Sequence, residues 1–131
     1  MNYKNVFYWI CRLLSTIILL QTLFFKFSGA QESVYIFSQL GVEPVGRIGS
    51  GIIELIASIL ILIPKTTFYG AIIALGIMMG AILSHLLILG IEINEDGGVL
   101  FIYACLVTIS VIYLLFQHKN EFTLLKKKLF S

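Results

Sequence analysis

Charge is what this sequence has least of. Asp, Glu, Lys and Arg make up 12% of its 131 residues, and 59% are hydrophobic. A soluble domain has nearer a quarter charged and half apolar. The apolar residues are grouped into long runs, which excludes a soluble globular class and implies an integral membrane protein. Cysteine occurs only at Cys11 and Cys105, with no CxxC pair. That excludes a zinc site by spacing and a disulfide framework. No P-loop, GxGxxG, HExxH or nucleophile elbow occurs, so the common phosphate-binding, dinucleotide-binding and hydrolase signatures are missing. Of the two histidines, only His85 lies in an apolar run; His118 lies beyond the last one. A single intramembrane histidine gives no basis for haem ligation, and no metal site is expected.

What is present is a set of four apolar runs, at 6–26, 46–63, 67–90 and 99–117. A membrane-spanning helix needs about 20 residues. The chain is therefore expected to be all-α, one integral membrane domain over 1–131, folded as a four-transmembrane-helix bundle. The first run is too long for a signal-peptide h-region and is interrupted by Arg12, so it reads as a retained span. Tyr3, Phe7, Tyr8 and Trp9 gather at its start, as an interfacial aromatic belt does. The connection 27–45 is the only long one. Val34, Phe37 and Leu40 have helical spacing before Gly41, which predicts a short surface helix in this loop. Asp96-Gly97-Gly98 predicts a turn before the last span.

The net charge of +2 matters less than where the cations fall. Lys4, Lys65, Lys119, Lys126, Lys127 and Lys128 share one side of a four-span topology, and the opposite loops carry Lys26 and Arg47 at span ends but also Glu32, Glu43, Glu92, Glu95 and Asp96. The positive-inside rule places both termini in the cytoplasm. The lysine tail directly follows a span, so it reads as a membrane-surface anchor rather than a nucleic-acid patch.

Ionisable residues at membrane depth are costly and default to function. At 1.5 Å per residue, Glu54 lies about 10 Å from the outer end of its span, His85 about 10 Å and Gln21 about 8 Å. Three polar groups from three spans thus share a depth. Arg47, Gly51, Glu54 and Ser58 form one helix stripe, and Arg12, Ser15, Leu19, Thr22 and Lys26 form another. Tyr103, Leu106, Ser110 and Tyr113 form a weaker one. These patterns predict a polar site centred on Glu54, with His85 as its nearest ionisable partner and Gln21 and Arg47 around it. Structural alternatives stand beside each role. Arg12 and Lys26 have stems long enough to snorkel to opposite interfaces. Arg47 suits an anchor at a helix end, Gln21 interhelical glue, and His85 a core histidine. Gly76, Gly80 and Ser84 read as a small-residue row for close helix packing. Cys11 and Cys105 differ in depth by more than the roughly 7 Å that a disulfide allows between Cα atoms.

With these residues in place, the chain resembles the DoxX-like family. The resemblance rests on "RLLSTIILLQTLFFKFSG", with Arg12 fourteen residues before Lys26, on "GVEPVGRIGSGIIELIASILILIP", on "ALGIMMGAILSH" ending in His85, and on "GIEINEDGG". It implies a four-helix membrane bundle in a bacterial cytoplasmic (inner) membrane. The family's namesake is similar to small subunits of a quinol oxidase and a thiosulfate:quinone oxidoreductase, and some members are linked to oxidative-stress complexes. The resemblance thus implies a redox-associated membrane subunit near the quinone pool, with quinone as a ligand and redox-complex proteins as partners. It assigns no reaction.

Two readings follow from the residues. In one, Glu54, His85 and Gln21 bind a quinone headgroup or exchange protons with it, with Arg47, Lys26 and Arg12 as further candidates. In the other, the bundle is a binding or transport module for a small amphiphile or lipid and has no chemistry of its own. A purely structural polar core, fixing helix register, is the third possibility. Membrane lipid is a partner in all three, and nucleic acid in none.

Overall fold

The first helix, α1 (Tyr3–Ser28), runs for 26 residues with neither proline nor glycine to break it. At 1.5 Å per residue it is about 39 Å long, more than the roughly 30 Å of a bilayer's hydrocarbon core. In this computed structural model, residues 3–93 and 97–130 are described. The loop helix expected after the first span is α2 (Gln31–Gln39). Pro44 caps the start of α3 (Val45–Leu62), where its missing N–H has no partner to lose. Ile63 is extended, as a residue before proline must be. A 3₁₀ turn over Pro64–Thr66 then reverses the chain into α4 (Thr67–Ser84), which widens into π-helical turns over His85–Leu89. Gly90, at φ 81°, ends it in a conformation costly for any side chain. α5 (Val99–Gln117) is the last apolar helix.

Four of these helices are long and apolar enough to cross a membrane. With the π-helical turns counted as the end of α4, their limits fall within three residues of those expected from sequence. The lysine tail, whose secondary structure the sequence leaves open, is helical, α6 (Lys119–Phe130). Asp96, Glu95 and Ser131 lie outside the described residues, so of the expected Asp96-Gly97-Gly98 turn only the two positive-φ glycines are seen.

The long helices form a ring. α1 packs on α3 and α5, and α4 closes the ring by packing on the same two. The inward stripe of α3 is Gly51, Glu54, Ala57, Ser58 and Ile61, while Ile52, Ile56 and Ile59 face outward. Polar residues inside and isoleucines outside would be an aggregation patch in water; against lipid the outward face has no such penalty. Helix association in that setting depends on close packing and internal hydrogen bonds. The close approach is at Gly70 of α4: a Cβ there would lie 2.7 Å from the Ala57 carbonyl oxygen and the Ile61 amide nitrogen of α3. The small-residue row expected to do this, Gly76 and Gly80, has nothing within 4 Å of either position. That row faces open space.

The two ends of the bundle differ. At one, Tyr8 hydroxyl and His118 Nε2 are 2.6 Å apart, and His118 Nδ1 lies 2.7 Å from Glu121, which ties α1 to the α5–α6 junction. At the other, α2 crosses the opening between the helices.

Candidate functional site

Below α2 the ring is hollow. A cavity of about 620 Å³ lies between α1, α3, α4 and α5, with α2 as its fifth wall. Its sides are largely apolar, including Ile18, Ile77, Met78 and Val107. The volume falls within the roughly 300–1,000 Å³ range of small-molecule sites. Gly76 and Gly80 line it, so the missing side chains of that row create space instead of helix contact.

Glu54 is the polar centre of one wall. It is 2% exposed, and its Oε1 lies 2.6 Å from Lys26 Nζ. Lys26 Nζ also donates to Ser50 Oγ at 3.2 Å, and Thr22 Oγ1 reaches Glu54 Oε2 at 3.4 Å. The Phe37 ring of α2 lies 5.4 Å from Lys26 Nζ. The partner of Glu54 is therefore Lys26, and the expectation that His85 would be its nearest ionisable partner is corrected. The cause is side-chain direction. Helical side chains lean toward their own N-terminus. α1 and α3 are antiparallel neighbours, so Lys26 leans into the bundle while Glu54 leans back toward the α2 end. The pair converges although the Cα atoms differ in depth. The same rule was available from sequence. Depth counted from Cα positions alone favours His85; the lean of the side chains brings Lys26 to Glu54 instead.

His85 stands on the α4 side of the same cavity and is buried. Its Nδ1 donates to the Gly90 carbonyl at 2.9 Å, since a carbonyl can only accept. That bond bridges the π-helical end of α4. Phe101 holds the ring edge-on at 5.6 Å. With Nδ1 engaged, Nε2 is the nitrogen left for exchange with a ligand. Gln21 of α1 and Tyr103 of α5 also line the cavity.

Arg47 and Arg12 stand elsewhere. Arg47 was expected around Glu54; instead its Nε donates to Glu43 Oε1 and Oε2 at 2.8 and 3.1 Å, and its Nη1 donates to the Lys26 carbonyl. One guanidinium thus joins the end of α1 to the end of the α2 loop. Arg12 does not snorkel. It is 2% exposed, and it donates to the Ile61 carbonyl at 3.1 Å and the Leu62 carbonyl at 2.8 Å. Those carbonyls end α3 and have no further helical turn to accept from. Trp9, at 4.3 Å from the guanidinium, and Tyr8 cover the charge. Arg12 is therefore a cap at the end of the bundle remote from Glu54. Both cysteines are free. Among the described residues no three of His, Cys, Asp or Glu cluster as a metal site would need.

The structure thus brings Glu54, Lys26, His85 and Gln21 to one cavity and leaves Arg47 and Arg12 outside it. Thr22, Ser50, Tyr103 and the covering α2 complete the lining. The DoxX family model matches residues 7–87, which hold α1 to α4 and the cavity's ionisable side chains Lys26, Glu32, Glu54 and His85. No curated protein and no solved structure matches the chain.

Proposed function

The chain belongs to the DoxX family, and from that premise we propose that it is a redox-associated membrane subunit that takes a quinone-type amphiphile into the cavity under α2. One observation carries this reading: an apolar-walled cavity of about 620 Å³ with a Lys26–Glu54 pair on one side and His85 on the other. The apolar walls suit a hydrocarbon tail. Lys26 has an ammonium proton beyond those given to Glu54 and Ser50 and is suited to donate it to a ring oxygen. His85, held by Gly90, is suited to take or return a proton at Nε2. The quinone would supply the redox chemistry; the chain binds it, orients it and holds protons near it. We read the membrane as a bacterial inner membrane with both termini on its cytoplasmic side; the lysines of that end support the orientation.

A lipid-binding or transport module without chemistry is the second reading. It is favoured by the covering position of α2 and by walls that would accept any alkyl tail. An azido-decylquinone, photolysed with the protein in nanodiscs and mapped by mass spectrometry, tests the first. Adducts on Met78 or Tyr103, competed by decylubiquinone, are expected. Adducts confined to lipid-facing residues such as Ile109 would reject it. Binding without any effect on quinone reduction by the native membrane complex would favour the second reading.

A further inference from the structure

We propose that the Lys26–Glu54 pair is a headgroup filter: the cavity admits amphiphiles with an uncharged, hydrogen-bond-accepting head and excludes those whose head carries a net charge. This rests on the reading of the cavity as a binding site and specifies what that site takes. A cavity inside a bilayer is surrounded by a vast excess of phospholipid and fatty acid with suitable tails. Discrimination must come from the head.

The charge arrangement does this. Lys26 is the only lysine or arginine among the described residues lining the cavity, and His85, the other basic group there, has Nδ1 committed to the Gly90 carbonyl. The Lys26 charge is cancelled at 2.6 Å by Glu54. Arg47, the other cation at this end, is occupied by Glu43 and the Lys26 carbonyl. Glu32, exposed on α2, adds a negative charge to the rim. An anionic head could take the spare Lys26 N–H only with its charge left uncompensated beside Glu54 and Glu32, and to be neutralised it would have to pull Lys26 away from Glu54. That would strand a carboxylate whose side chain is 3% exposed, at high cost in a low-dielectric site. A cationic head would meet a carboxylate already paired. A carbonyl or ether oxygen needs only the spare Lys26 N–H and disturbs nothing. In this account Glu54 is kept at membrane depth because it makes a lysine donor available without offering a free positive charge.

The test uses three probes with similar alkyl tails, decylubiquinone, laurate and dodecylamine, binding to protein in nanodiscs by native mass spectrometry. Wild type should prefer the quinone over both ions by at least about tenfold, since one uncompensated charge at low dielectric outweighs that factor. In Glu54→Gln the freed Lys26 should raise laurate affinity about tenfold or more relative to the quinone. Lys26→Gln should shift preference toward dodecylamine instead. The double variant Lys26→Gln/Glu54→Gln should again disfavour both ions; it also keeps the test intact if Lys26→Gln fails to fold. An unchanged order of the three probes in Glu54→Gln, or a double variant that keeps the laurate gain of Glu54→Gln, would overturn the filter and leave quinone binding standing. Failure of wild type to bind any probe would overturn the binding reading and the filter together.

Discussion

Lys26 on α1 and Glu54 on α3 are 28 residues apart in the chain and 2.6 Å apart in space. They differ in what each can do if the other is lost. Lys26 is near the end of its helix and its side chain is 14% exposed; that of Glu54 is 3% exposed and lies in mid-helix.

Removing the two partners should therefore have unequal effects. In Glu54→Gln the lysine keeps Ser50 as an acceptor and, with its side chain 14% exposed, an exit to solvent for its charge while it still lines the cavity, and the loss in stability should be about 1 kcal/mol. In Lys26→Met the carboxylate has no such exit, and a loss of about 3 kcal/mol is expected from an uncompensated buried charge. Lys26→Met/Glu54→Leu should recover most of it. Unfolding of the detergent-solubilised protein, followed by circular dichroism, measures all three; equal losses in the two single variants would contradict the asymmetry.

Two glycines of α4 should behave in opposite ways. Gly70→Ala puts a methyl against α3 backbone at 2.7 Å and should cost about 1–3 kcal/mol by overpacking. Gly80→Ala meets nothing within 4 Å and should be neutral or stabilising by up to about 1 kcal/mol from helix propensity. Gly80→Leu should fold and yet abolish azido-decylquinone labelling, because it fills the cavity. Thermal unfolding beside the labelling assay separates the two effects.

Arg47 holds both ends of the segment that carries α2. Arg47→Met should raise hydrogen exchange across 31–39 severalfold and leave α3 and α5 unchanged. Arg47→Lys should not restore protection, because an ammonium lacks the planar fork that reaches Glu43 and the Lys26 carbonyl together. Exchange that stays at the wild-type level in Arg47→Met would show that α2 is held by its apolar contacts alone.

Arg12→Met should cost about 2 kcal/mol. The Leu62 carbonyl loses its Arg12 donor in a part-buried setting, and an unsatisfied polar group there costs about 1–3 kcal/mol. Ile61 keeps a donor in Thr67 Oγ1 at 2.9 Å. Because this cap is at the far end of the bundle, the ranking of quinone, laurate and dodecylamine should not move. A change in that ranking would connect the two ends and refute a purely capping role.

The sequence by itself determined the class, the four helices and their limits, and the short helix of the first loop. These follow from run length, proline position and apolar spacing, all of which are local. It also marked Glu54, His85 and Gln21 as polar groups of similar depth, and the cavity does collect them. Only the tertiary structure decided the pairings. Lys26 turned inward to Glu54, Arg47 turned to Glu43, and Arg12 capped the carbonyls of Ile61 and Leu62. It also decided that Gly70 makes the close helix contact while Gly76 and Gly80 leave space. The physical reason is that a helix fixes which residues share a stripe and at what depth. Which partner a long side chain reaches depends on how neighbouring helices are rotated and on the opposed lean of side chains between antiparallel neighbours, and one helix's periodicity contains neither.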